Sequence, residues 1–286
     1  MRIEVLTIFP EMIKSVLESS IMKKAQERGC LEVNVINIRD YTEDKHRTVD
    51  DYPYGGGSGM LLKPGPILSA VDELKKKDEL RILMTTPKGR VFNQDMALDL
   101  SLEEKRIVFV CGHYEGIDER VRISLKPEEV SIGDYVLTGG ELAALVIIDA
   151  SVRLIPGALG NGRSAADDSF SGQINAGLLE YPHYTRPADF CKLKVPRMLL
   201  SGNHKKIAAW RRKRTLFNTL MKRPDLLENL DLTAEEAGFL NEIKTRIFGG
   251  NTNSHSTGYQ GGEEEATQAY GLYAREQTTK PTQVAE

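Results

Sequence analysis

Three short segments place glycine or proline directly after, or within, runs of apolar residues. They are TTPKGR (85–90), CGHYEGIDERV (111–121) and VSIGDYVLTGGEL (130–142). In open α/β sheets ligands sit beyond the carboxyl ends of strands, where glycine lets the backbone approach closely. Each segment alone also reads as an ordinary strand-to-helix turn. Three of them lining one pocket make a stronger signal than any one. None is the dinucleotide fingerprint GxGxxG.

A fourth stretch, RDYTEDKHRTVDDYPYGGGSGMLLKPGP (39–66), is long for a connection inside a compact domain, and such loops are usually functional or disordered. It lacks the GK[ST] ending of a P-loop. His46 with Asp50 and Asp51 has no second well-placed partner for a metal, so a substrate-facing loop is the better reading. Asp167 and Asp168 follow Arg153 and Arg163 in a Gly/Ser/Ala-rich stretch. A lone Asp pair there is most often a cap or turn.

Charge is distributed unevenly. The 286 residues hold 38 Lys or Arg and 41 Asp or Glu, for a formal charge of −3. Yet Arg186–Arg223 contains twelve bases and one acid, Asp189, a local balance of +11. That is the electrostatic footprint expected of a polyanion-binding face. Beyond Asn251 the chain turns acidic, with five acids against two bases. Cys30, Cys111 and Cys191 form no CxxC pair, which excludes a thiolate zinc site and fits a reducing cytosol. The longest apolar run, Leu142–Ile148, is far short of the roughly 20 residues a membrane span needs. The N-terminus is too short and too charged for a signal peptide.

These residues need a scaffold. Residues 2–9 and 31–38 read as strands, with one helix across PEMIKSVLESSIMKKAQERG between them. Further strands are expected at 81–86, 106–111 and 130–137, separated by helices near 66–77, 93–105 and 117–124. Residues 140–154 are apolar on most sides and predict a buried helix. The alternation implies a largely parallel sheet covered by helices on both faces. After Ile155 a linker leads to a helical unit. There His204–Lys222 forms one basic helix, and Thr233–Glu236 a capping box that opens the last helix. Composition divides the chain into 1–160, a linker at 161–176, a helical unit at 177–250 and a disordered tail at 251–286.

The runs HRTVDDYPYGGGSGM, GHYEGIDERV, SIGDYVLTGGEL, DDSF, PHYTRP and VPRMLLSGNH, in that order over residues 1–250, resemble the bacterial tRNA (guanine-N1)-methyltransferase family of the SPOUT class. The resemblance implies an α/β fold, a SPOUT-type parallel sheet with a trefoil knot, plus a small C-terminal α-helical domain. Periodicity alone points only to an ordinary doubly wound sheet. The resemblance further implies a cytoplasmic homodimer, with no DNA or membrane partner. The activity implied is methyl transfer from S-adenosyl-L-methionine to N1 of the guanine immediately 3′ of the tRNA anticodon.

Carried over by position, the cofactor residues are Pro87, Gly112, Glu115, Ile132, Gly133, Asp134, Tyr135, Val136, Leu137, Gly139 and Gly140. Asp168 becomes the general base and Arg153 the partner of guanine O6, with Asp168 of one chain reaching the cofactor of the other. Asp50 becomes the reader of the neighbouring base. The basic helix, with Lys205, Lys206, Arg211, Arg212, Lys213 and Arg214, becomes the grip on tRNA phosphates. The resemblance also implies a need for Mg2+, for which the sequence offers no ligand set. Two departures stand out. Ala143 replaces the family's common proline after GGEL, which is expected to loosen one wall of the cofactor pocket, and the tail beyond Asn251 has no counterpart.

Overall fold

A computed structural model of the chain describes residues 1–159, 168–171, 177–228 and 230–248. The expectations for Arg163, Asp167 and the 251–286 tail, and for most of the 161–176 linker, lie outside the described residues. The chain divides into two compact units, Met1–Ala165 and Ala166–Glu286.

In the first unit, β1 (Arg2–Thr7), β2 (Glu32–Asn37), β5 (Leu80–Val91), β6 (Arg106–Cys111) and β7 (Glu128–Ser131) form one sheet in the order β2-β1-β6-β5-β7. Every pairing is parallel. The two-residue side-chain period divides the core between the faces. Ile3, Val5, Ile107 and Phe109 pack on one face with Ile13, Ala144 and Ile148. Leu6, Val108 and Val110 pack on the other with Ile67, Val71 and Leu74. At the amino ends of the strands, Arg106 bonds to Asp78 (2.7 Å) and to the buried Glu4 (2.7 Å), closing that edge with an ion network. The carboxyl ends stay open.

The structure corrects several element boundaries. The single helix expected after β1 is two, α1 (Pro10–Leu17) and α2 (Ser20–Glu27). Ser19 is extended and its hydroxyl bonds back to the Val16 carbonyl (2.9 Å), a serine competing with helical hydrogen bonds. The strand expected at 81–86 continues to Val91 past a register break between Thr85 and Arg90. The strand expected at 130–137 stops at Ser131. There Gly133 adopts φ +147° and its N–H donates to the Ser131 hydroxyl (3.2 Å), turning the chain. The 39–66 stretch is no bare loop: β3 (Asp50–Asp51) and β4 (Leu61–Leu62) pair as a short antiparallel ladder.

Helices α3 (Pro64–Lys75), α4 (Gln94–Ser101), α5 (Glu119–Leu125) and α6 (Glu141–Val152) complete the unit. Helix α6 is not buried all round as its composition predicted. Leu142 and Val146, four residues apart, are about half exposed, as are Met12 and Val16 on the neighbouring α1 to a lesser degree.

In the second unit, α7 (His204–Lys222) and α8 (Ala234–Phe248) pack around Leu178, Leu216, Phe217, Leu220, Leu240 and Ile243. Asn203 caps α7 by accepting from Lys206 N–H (3.1 Å). The Thr233–Glu236 capping box forms reciprocally: Glu236 N–H donates to the Thr233 hydroxyl (3.3 Å), and Thr233 N–H to the Glu236 carboxylate (2.9 Å).

Candidate active site

The carboxyl ends of β5, β6 and β7 open onto a cleft of about 630 Å³. Its first wall is the register break in β5. Residues 86–89 leave the ladder, carrying Pro87 and Lys88 into the cleft. Gly89 then returns against β7 so closely that a Cβ would lie 2.3 Å from Val130 N. Only glycine permits that approach.

The second wall is the turn after β6, Gly112–Asp118, stitched to the 39–66 segment. Glu115 N–H donates to the Met60 carbonyl, Leu62 N–H to Gly116, and Asp118 N–H to Leu62, each at 3.0 Å. Asp50 pairs with Leu62 in the ladder, so its half-buried position is tied to this wall through β4. Asp118 caps α5 through Arg120 N–H (2.9 Å). The guanidinium of Arg120 beside it holds its carboxyl below the usual range, against the pull of burial.

The third wall is the irregular segment 132–140. Its Tyr135, Val136 and Leu137 face the cleft. At its end the chain crosses β6 at close range: Gly140 N–H donates to the Gly112 carbonyl (2.8 Å), and the Thr85 hydroxyl donates to the Gly140 carbonyl (3.3 Å). A Cβ on Gly140 would fall 2.2 Å from Thr85 Oγ1 and 3.0 Å from both Cys111 Cα and Gly112 N.

Behind this crossing lies a buried polar cluster that sequence reasoning missed. The Thr7 hydroxyl donates to Glu141 Oε1 (2.6 Å), at the first residue of α6. Glu141 is 1% exposed, and its Oε2 lies 3.8 Å from His113 Nδ1. Neither of those two atoms has a hydrogen-bond partner among the described residues. The α6 N-terminus favours the carboxylate charge. The GHYEG and GGEL runs contain both residues, but only the fold sets them side by side. Burial, with Glu141 adding to it, pushes the Cys111 thiol well up, so this cysteine is a packing group rather than a thiolate.

Of the cofactor residues expected from the sequence, Pro87, Gly112, Glu115, Ile132, Gly133, Tyr135, Val136, Leu137, Gly139 and Gly140 all line the one cleft. Ala143 joins them from the first turn of α6. Asp134 does not: it is exposed, outside the lining. Arg153 caps the C-terminus of α6, also outside the lining, and Asp168 lies in a turn of the second unit that accepts from Ser171 N–H (3.2 Å). His46 is exposed, and no group of three His, Cys, Asp or Glu side chains suited to a metal occurs among the described residues.

All six expected phosphate contacts sit on α7, but they differ. Lys205, Lys206 and Arg211 are exposed. Arg212 bonds to Glu236 (2.6 Å) and Lys213 pairs with Glu235 (3.2 Å). Arg214 turns inward, 5% exposed, with its guanidinium over the Trp210 ring.

The family model described as tRNA (Guanine-1)-methyltransferase TrmD matches residues 1–229. The chain belongs to the TrmD family. Curated relatives are named tRNA (guanine-N(1)-)-methyltransferase. One from Dictyoglomus turgidum is 55% identical over 247 residues, covering 86% of this chain and 98% of that protein. One from Bacillus cereus is 55% identical over 246 residues, covering 85% of this chain and 99% of that protein. Membership of this family implies S-adenosyl-L-methionine as the methyl donor. No helix among the described residues is long and apolar enough to cross a membrane.

Proposed function

We propose that the chain methylates N1 of the guanine immediately 3′ of the anticodon in tRNA, using S-adenosyl-L-methionine bound in the cleft at the ends of β5, β6 and β7. The observation that carries this reading is the close crossing at Gly139 and Gly140, in a chain of the TrmD family. A Cβ at either position would strike Thr85, His113, Glu141 or the β6 backbone, so the cleft is floored by bare main chain. Bare main chain lets a nucleoside approach closely, and Tyr135, Val136 and Leu137 supply an apolar wall. Glu115 adds a carboxylate that suits a sulfonium cation, whereas Asp118, Glu119 and Glu129 in the same lining are paired with Arg120 and Arg122. The residues present therefore fit the cofactor. When bound, it supplies a methyl group on positively charged sulfur, the electrophile of the reaction.

The chain's own groups do the rest. Guanine N1 carries a proton at neutral pH and is a poor nucleophile until that proton leaves. Asp168 accepts it, a general-base contribution of roughly 10²–10⁴-fold. The negative charge that spreads to O6 is held by the Arg153 guanidinium, as a preorganised donor. Asp50, fixed by the β3–β4 ladder, reads the neighbouring base. Lys205 and Lys206 grip phosphates, positioning the substrate without choosing it.

The enzyme works as a homodimer, in which Asp168 of one protomer serves the cofactor cleft of its partner. The half-exposed apolar stripe of Met12, Val16, Leu142 and Val146 supports this reading, since such a patch is characteristic of an interface. No residue here is assigned to Mg2+.

The test is an Asp168→Asn variant. It keeps its fold and its affinity for S-adenosylmethionine by calorimetry, and loses about a hundredfold or more of methyl transfer under single-turnover conditions. Full activity in that variant contradicts the assignment of the base.

A further inference from the structure

The run PHYTRP enters none of the steps above. In the second unit it lies against α7 and lines a pocket of about 530 Å³, within the roughly 300–1,000 Å³ typical of small-ligand sites. Tyr181, His183 and Tyr184 form one side. Helix α7 forms the other, with His204, Arg211 and Thr215 on a single helical face. The Tyr181 and His183 rings are 4.7 Å apart, and the Arg211 guanidinium lies 4.7 Å from the centre of the Tyr181 ring.

Thr215 supplies an independent observation. It is 1% exposed, lines the pocket, and its Oγ1 has no hydrogen-bond partner among the described residues. A buried threonine hydroxyl in a helix ordinarily bonds to the carbonyl one turn back, as Thr219 does to Thr215 (2.8 Å). A hydroxyl can both donate and accept, so it can meet either kind of group on a ligand.

We infer that this pocket holds an unstacked nucleobase of the RNA substrate, one other than the guanine that is methylated, stacked on the Tyr181–Arg211 platform with Thr215 Oγ1 bonded to its edge. The inference rests on the tRNA reading above and adds a site to it. Aromatic and guanidinium planes are what a splayed base stacks on. A phosphate alone would call for converging cations, but Arg212, the other arginine of the lining, already bonds to Glu236. The surrounding basic run, twelve Lys or Arg against one acid over Arg186–Arg223, supplies the attraction for the backbone that delivers the base.

Affinity of the full-length protein for an unmodified tRNA transcript, measured across a salt series, tests this. Tyr181→Ala lowers affinity by about five- to a hundredfold at every salt concentration, and leaves the slope against salt unchanged because no phosphate contact is lost. Tyr181→Phe binds like the parent. Lys205→Ala shows the opposite signature, a flatter salt slope. Thr215→Val guards against a folding artefact: Oγ1 bonds to nothing within the described fold, so the isosteric change leaves the melting temperature in place and weakens tRNA binding by about two- to tenfold. Ultraviolet crosslinking of the complex attaches nucleotide to the Tyr181–Tyr184 peptide.

Failure of the parent protein to bind tRNA overturns the tRNA reading itself. Parent binding with both Tyr181→Ala and Thr215→Val within about twofold of it overturns the pocket alone. A flattened salt slope in Tyr181→Ala would make the pocket a phosphate site and likewise overturn the base.

Discussion

The close crossing at Gly140 gives a sharp prediction. Its φ of −81° and ψ of −10° suit any residue, so alanine there brings no backbone strain. The whole effect of Gly140→Ala is steric. The new methyl would sit 2.2 Å from Thr85 Oγ1, and 3.0 Å from Cys111 Cα and Gly112 N. Rotating Thr85 away relieves the first contact but forfeits its hydrogen bond to the Gly140 carbonyl, a loss of about 0.5–1.5 kcal/mol. The two backbone contacts cannot rotate away. Relieving them pushes the start of α6 off β6, an overpacking cost of about 1–3 kcal/mol. Together these give roughly 1.5–4.5 kcal/mol, or a fall in melting temperature of about 3–18 °C at 2–4 °C per kcal/mol.

Gly238→Ala is the matched control. Gly238 lies in α8 with nothing within 4 Å of its would-be Cβ, and the change stabilises by about 0.4–1 kcal/mol. Scanning calorimetry of the two variants and titration with S-adenosylmethionine provide the assay. The displaced Gly112 N–H should also weaken cofactor binding in Gly140→Ala. If Gly140→Ala melts within about 0.5 kcal/mol of the parent and binds the cofactor equally well, the reasoning from close approach is wrong.

Two further outcomes follow from hydrogen-bonded carboxylates. Glu141→Ala removes the acceptor of the Thr7 hydroxyl and destabilises by about 1.5–3 kcal/mol in urea unfolding, whereas an unchanged midpoint would mean that the Thr7–Glu141 bond contributes nothing. Burial raises the pKa of Glu236, but the Thr233 N–H and hydroxyl and the Arg212 guanidinium lower it by more, so its folded value lies below the ordinary one. Its stabilisation is therefore complete above the unfolded value of about 4.3 and fades as pH falls through the folded value. Melting of the second unit, followed through Trp210 fluorescence, should drop on acidification below that range. Glu236→Gln should flatten the dependence, and an equally steep one in that variant would place its origin elsewhere.

Local signals carried much of this architecture. The basic helix is legible from its composition and the last helix from the Thr233–Glu236 box, because both depend on residues a few positions apart. The parallel sheet is legible from the alternation of β-branched runs with amphipathic stretches. The glycines after β6 and before α6 point to one cleft, because close backbone approach selects glycine whatever the tertiary detail. What escaped depends on distant partners. The register break that carries Pro87 into the cleft requires β7 beside Gly89. The Thr7–Glu141–His113 cluster joins residues 134 positions apart at its widest bond. The inward turn of Arg214 reflects packing against Trp210, which a count of positive charges cannot register. The half-exposed stripe on α6 reads as core in the sequence because hydrophobic composition does not distinguish a buried face from an exposed one.

Methylation of guanine N1 is tested by incubating the full-length protein with labelled S-adenosylmethionine and an unmodified tRNA transcript bearing G immediately after the anticodon, followed by nucleoside analysis. Label is expected in 1-methylguanosine, abolished when that G is replaced by A. Label at a ribose hydroxyl, or tight tRNA binding with no label in any nucleoside, would contradict it.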